Sequence, residues 1–129
     1  MSAADPTDRL RVLVVDDQPD IAELLCEVLV RVGHDCRVAS TGAEALEMTA
    51  TYDPHVILLD IGLPDMSGYA VCTELRSRGV RAYVVAITGW GREDDRKRSF
   101  AAGMDEHLVK PTTLETIQAA LAVARDARK

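Results

Sequence analysis

Short apolar runs alternate with segments of helical period along nearly the whole chain. Val12-Leu13-Val14-Val15 is a continuous apolar run that predicts a first strand over residues 11–15. From Ile21 the apolar positions fall at Ile21, Leu24, Leu25, Val28, Leu29 and Val32, a helical stripe, with Pro19 in the first turn, where its missing N–H costs nothing, and Gly33 at the end. Cys36 and Val38 alternate with polar neighbours in a weaker second strand. Thr41-Gly42-Ala43-Glu44 has capping-box spacing for a second helix carrying Ala45, Leu46 and Met48. Residues 55–59 are apolar on both faces, as in a central strand covered by helices on each side.

A turn-rich loop from Gly62 to Gly68 precedes a third helix with Tyr69, Cys72 and Leu75, which stops near Gly79. Tyr83 to Ile87 predicts a fourth strand ending at Thr88. Gly89-Trp90-Gly91 then interrupts the chain before a charged fourth helix, acidic at Glu93, Asp94 and Asp95 and basic at Arg96, Lys97 and Arg98, the order the helix dipole favours. His107-Leu108-Val109 is the fifth strand. Thr112-Thr113-Leu114-Glu115 offers a second capping box, and Leu114, Ile117, Leu121 and Ala124 form the inner face of a last helix. Five βα units imply an α/β protein with a parallel sheet. Residues 1–9 read as a disordered leader, 10–126 as one domain and 127–129 as a tail.

Composition narrows the function. A chain of 129 residues supports one domain, and 47% hydrophobic with 28% charged residues is ordinary for a globular protein. A net charge of -6 argues against a nucleic-acid footprint, which needs a basic face. No apolar stretch reaches the roughly 18–20 residues of a membrane helix, and the polar N-terminus is no signal peptide, so a cytoplasmic location is expected. Cys26, Cys36 and Cys72 are odd in number and lack zinc spacing; buried free thiols are expected.

The chemistry gathers at strand ends. Asp16 and Asp17 follow the first strand, Asp60 the third, Thr88 the fourth and Lys110 the fifth. In open parallel sheets the ligand crevice lies beyond the carboxyl ends of the strands. If the first and third strands are neighbours, three acids meet there. Two like charges about 5 Å apart repel by roughly 3 kcal/mol at an effective dielectric near 20. A divalent cation removes that cost, and clustered oxygens with room for water and phosphate suit Mg²⁺.

With Asp16-Asp17, Asp60, Thr88 and Lys110-Pro111 at these places, the chain resembles receiver domains of two-component response regulators from about residue 10 to 125. The resemblance implies a flavodoxin-like (βα)5 three-layer sandwich with strand order 2-1-3-4-5. It implies that Asp60 accepts a phosphoryl group, that Asp16, Asp17, Asp60 and the Gly62 carbonyl hold Mg²⁺ or Mn²⁺, and that Thr88 and Lys110 contact the transferred group. It also implies a cis Lys110-Pro111 bond. Such a domain is a signalling switch, not an enzyme acting on others, although it promotes its own phosphorylation and weak dephosphorylation. The implied partners are a sensor histidine kinase or histidine phosphotransfer protein, and a downstream protein on the face of the fourth helix, fifth strand and fifth helix. The stretches Ile87–Arg96 and Asp105–Pro111 look most like receivers attached to hybrid sensor histidine kinases. A stand-alone receiver or one excised from such a kinase is therefore expected.

Three positions depart from the pattern or tune it. Most receivers carry Tyr or Phe three residues before the site Lys, where this chain has His107. That residue reads either as a satisfied surface histidine or as a switch residue whose imidazole hydrogen-bonds and titrates. Gly62 leaves the approach of water to Asp60 open, and Trp90 is expected to cover the other side.

Other functions fit less well. A haloacid-dehalogenase phosphatase needs a second acid two residues after the nucleophile, where Gly62 stands. A nucleotide-binding module needs a Gly-rich or hydroxyl-rich first loop, and Asp16-Asp17-Gln18-Pro19-Asp20 would repel phosphate unless a cation intervened. The remaining alternative is a degenerate receiver that binds partners without phosphorylation.

Overall fold

Strands β1 (Arg11–Val15), β2 (Asp35–Ala39), β3 (Val56–Asp60), β4 (Tyr83–Thr88) and β5 (Glu106–Val109) form one parallel sheet in the order β2-β1-β3-β4-β5. The computed structural model describes residues 9–89 and 91–127. Helices α1 (Pro19–Arg31), α2 (Gly42–Tyr52), α3 (Gly68–Ser77), α4 (Glu93–Ala101) and α5 (Leu114–Ala127) join and follow the strands. The expected fold and strand order are those observed. The leader expected over residues 1–9 lies outside the described residues apart from Arg9. The expected tail lies outside them apart from Ala127, which ends α5.

Alternation within the strands divides the core in two, because successive side chains leave a strand on opposite faces. Leu13, Val15, Ile57, Leu59, Val84 and Ala86 pack with Ala45, Val71, Cys72 and Leu75 of α2 and α3. Val12, Val14, Val56, Leu58, Val85 and Ile87 pack with Ala22 and Leu29 of α1 and with Ile117, Ala120, Leu121 and Ala124 of α5. β3 is buried along its whole length, as its run of apolar residues predicts. Among the residues of α4 only Ser99 is buried, so this helix is held by few apolar contacts.

Burial revises several sequence expectations. In α1 the inward line is Ala22, Leu25 and Leu29, while Ile21, Leu24 and Val32 are exposed. At 100° per residue the apolar positions of this helix cover more of its circumference than one sheet face can bury. Leu114 is also exposed rather than inward, since it sits at the first turn of α5. The cap of α5 is Thr113, whose hydroxyl accepts from Thr116 N at 3.1 Å and whose carbonyl accepts from Ile117 N at 3.1 Å. The box expected from Thr112 to Glu115 is thus displaced by one residue. Adjacent threonines offer the same hydroxyl, and the path of the chain out of β5 selects between them.

The α2 cap matches its sequence signal at the Thr41 hydroxyl, while the reciprocal bond falls one residue earlier, on Ser40. The Thr41 hydroxyl accepts from Glu44 N at 3.1 Å, and the Glu44 carboxylate accepts from Ser40 N at 2.9 Å. Cys72 is buried as expected, but Cys26 and Cys36 are only half-buried. No helix among the described residues is long and apolar enough to cross a membrane.

Candidate functional site

β1 and β3 are hydrogen-bonded neighbours with Val15 opposite Leu59, so Asp16 and Asp60 emerge side by side one residue later. Asp17 follows on the exposed side. One carboxylate oxygen from each of Asp16, Asp17 and Asp60 lies within 4.8 Å of the others. Lys110 reaches the group from the end of β5, with its Nζ 3.2 Å from Asp60 Oδ2. The other Asp60 oxygen accepts from Gly62 N at 3.1 Å. Asp16 is fixed likewise, its Oδ1 accepting from Gln18 N at 2.9 Å and its own N–H donating to Ala39 O at 3.0 Å.

The electrostatics are unfavourable without a further positive charge. Asp16 and Asp60 are 9% and 8% exposed. Burial, foremost, raises the Asp16 carboxyl above the usual carboxylate range, the Gln18 N–H opposes this, and the Asp60 charge adds to it. Lys110 balances one of three carboxylates, which leaves two negative charges uncompensated. Three converging oxygens with that excess suit a hard divalent cation. The side of Gly62 is open, since a Cβ placed there meets nothing within 4 Å.

Thr88 ends β4 at the same sheet edge and is buried, while its carbonyl accepts from Lys110 N at 2.7 Å. This bond ties the ends of β4 and β5 together. The Lys110-Pro111 peptide is cis, as the resemblance implies. His107 is no surface residue. It is 4% exposed on β5, and its Nδ1 lies 2.7 Å from Ser99 Oγ on α4. Its carbonyl accepts from Arg96 Nη1 at 3.4 Å. Trp90 lies outside the described residues.

Two residues that position the site were not singled out from sequence. Gly68 opens α3 where the backbone passes against β3, its N–H donating to Ile61 O at 2.9 Å. Asp65, in the loop between them, uses both carboxylate oxygens to accept from Gly42 N at 2.8 Å and Ala43 N at 2.9 Å, capping α2 from a distant segment. An Asp in a turn-rich stretch has many local partners, so this long-range cap leaves no sequence signal.

The two backbone N–H groups hold the Asp65 carboxyl below the usual carboxylate range. Its folded pKa is lower than its unfolded one, so this stabilisation is present above the unfolded value near 4 and is lost as pH falls through the folded value. Asp65→Ala is expected to lower the thermal midpoint at pH 7 and to flatten the loss of stability below about pH 4. Parallel acid limbs for variant and wild type in urea titrations would remove Asp65 from this role.

Comparisons with known proteins identify the family. A family model described as "Response regulator receiver domain" matches residues 12–122. "Sensor histidine kinase RcsC" of Salmonella typhimurium is 34% identical over 120 residues, covering 93% of this chain and 13% of that protein. "Transcriptional regulatory protein KdpE" of Mycobacterium tuberculosis is 38% identical over 113 residues, covering 88% of this chain and 50% of that protein. The chain thus spans from about an eighth to half the length of these relatives. Among solved structures, the Francisella response regulator 1452 receiver domain has a TM-score of 0.88 at 25% identity, covering 94% of this chain and 100% of that one. Vibrio cholerae chemotaxis protein CheY4 has a TM-score of 0.85 at 25% identity, covering 90% and 98%.

Proposed function

This chain belongs to the response regulator receiver domain family of two-component signalling, and from that premise we propose that it is a switch that takes a phosphoryl group onto Asp60 from a phosphohistidine protein. The observation that carries the reading is the Asp60 carboxylate, held by Lys110 Nζ at 3.2 Å and Gly62 N at 3.1 Å inside the cluster with Asp16 and Asp17. The receiver unit is taken as residues 10–126.

A carboxylate oxygen of Asp60 attacks phosphorus, forming an O–P bond as the P–N bond to the donor imidazole breaks, and the leaving nitrogen takes a proton. Gly62 N–H and Lys110 orient the nucleophile before the donor arrives. Lys110 then passes to an oxygen of the transferred group, where its point charge offsets the added negative charge. Thr88 closes the same side with its hydroxyl. Asp16, Asp17, Asp60 and the Gly62 carbonyl would hold Mg²⁺ or Mn²⁺, which would supply charge neutralisation at the phosphoryl oxygens. The open side of Gly62 gives water a route to the acyl phosphate, which sets its lifetime jointly with Trp90.

His107 is the coupling residue in this reading. Its bond to Ser99 joins β5 to α4 behind the site, so a shift of Thr88 and the end of β5 is felt by a helix with little buried surface. The downstream protein docks on the face of α4, β5 and α5, where Phe100 and Leu114 are exposed. A sensor histidine kinase or phosphotransfer protein is the donor, the cytoplasm is this chain's location, and the charge of -6 disfavours a nucleic-acid partner.

The test is intact-mass analysis after incubation with acetyl phosphate. One added phosphate is expected with Mg²⁺ or Mn²⁺, and none after chelation. Lys110→Ala is expected to keep its circular dichroism while its phosphate yield falls about tenfold or more, the scale of losing one electrostatic contact to a transferring group. Full labelling in chelator would overturn the metal-dependent reading.

A further inference from the structure

Cys26 of α1 and Cys36 of β2 converge on one another. Cys36 pairs in register with Val12 and packs against the cluster that includes Val12, Ala22 and Leu29. Cys26 comes four residues after Ala22 and three before Leu29, beside the inward line of α1, so the helix carries it over the edge strand. Helix α1 packs directly on β2, and each thiol lies within electrostatic reach of the other. Both are half-buried, and they line an open cavity of about 710 Å³ with Glu23, Glu27 and Arg31. Cys72 is buried in the cluster on the opposite face of the sheet and takes no part.

The pair is asymmetric. Burial, foremost, raises both thiols, Cys36 the more strongly, and the Cys36 S–H donates to Arg37 O at 3.9 Å. Glu23 and Asp35 act against ionisation of Cys26. Cys26 is therefore the sulfur that loses its proton first, and the thiolate is the form that attacks a disulfide.

We infer that Cys26 and Cys36 form a dithiol site that a low-molecular-weight disulfide oxidises to an intramolecular disulfide, Cys26 attacking and Cys36 resolving. The Cys26 thiolate attacks one sulfur of the small disulfide, whose S–S bond breaks and releases one thiolate. Cys36 then attacks the Cys26 sulfur, its proton passing to solvent or to the released thiolate, and the second small thiol leaves. Two protein thiols lose two hydrogens, and one small disulfide becomes two thiols. The product ties the second half of α1 to β2. This site stands apart from the carboxylate cluster and does not rest on its phosphorylation.

The experiment treats the full chain with oxidised glutathione, quenches with acid, then alkylates it under denaturing conditions. Titratable thiols are expected to fall from three to one, with the protein two hydrogen masses lighter and dithiothreitol restoring all three. Cleavage after Arg31 separates the two cysteines, so their peptides stay joined only by the new bond. Cys36→Ser is expected to stop at a glutathione mixed disulfide on Cys26, and Cys72→Ser to behave as wild type. Phenylarsine oxide, which needs two adjacent thiols, checks the spacing without oxidation and should shield Cys26 and Cys36 from alkylation. Three thiols remaining in the wild type, a bond involving Cys72, or no shielding by the arsenical would overturn the inference.

Discussion

Asp60→Asn is expected to take up no phosphate from acetyl phosphate under conditions that label the wild type, a loss limited only by the detection of intact-mass analysis. The amide is close to isosteric, and its oxygen still accepts from Gly62 N, so the loop after β3 keeps its anchor. The substitution removes the nucleophilic carboxylate and nothing else at the sheet edge. Its effect on stability is small because two terms oppose. Removing the repulsion with Asp16, roughly 3 kcal/mol at about 5 Å, is offset by losing the ion pair with Lys110 at 3.2 Å. Stabilisation by Mg²⁺, read as the rise in thermal midpoint with ion concentration, should shrink in the variant because one oxygen ligand is lost. Equal labelling of variant and wild type would move the acceptor to another residue, with Asp16 and Asp17 the first to examine.

Gly68→Ala is expected to destabilise the fold by about 3 kcal/mol, a shift of roughly 10 °C or more in thermal midpoint for a domain of this size. An added Cβ would lie 2.6 Å from the Asp60 carbonyl oxygen and 2.8 Å from Ile61 Cα. Both are backbone atoms of the strand end that carries the acceptor, and they cannot move without dragging Asp60. At an ordinary helix position the same substitution would stabilise by up to about 1 kcal/mol, so the sign itself is diagnostic. Gly62→Ala provides the contrast, because its Cβ meets nothing within 4 Å. An unchanged midpoint for Gly68→Ala would mean that α3 can withdraw from β3 at no cost, and the site geometry would then not depend on this contact.

Much of the fold was legible because its signals are local. Each strand is a short apolar run, each helix a 3.6-residue period with its own caps or breakers, and these need no knowledge of distant residues. The candidate site was legible for the same reason: Asp16, Asp17, Asp60, Thr88 and Lys110 are polar residues at the ends of four of the five strands, and parallel strands bring like ends to one edge. The strand order itself was not read from the runs, since a strand buried on both faces does not specify its neighbour; it entered through the resemblance carried by the motif residues.

What only the tertiary structure decided are pairings between different elements of the fold. The Asp65 cap on α2 spans more than 20 residues, the Ser99 bond to His107 crosses from α4 to β5, and Gly68 is needed because β3 lies against it. Which apolar residues of α1 stay exposed, and that Cys26 and Cys36 border one cavity, follow from how far one helix rolls over the sheet edge. Local sequence determines which groups each segment can offer. Packing determines which partner each group finds, because a hydrogen bond or a buried methyl stabilises the fold only where two surfaces close together.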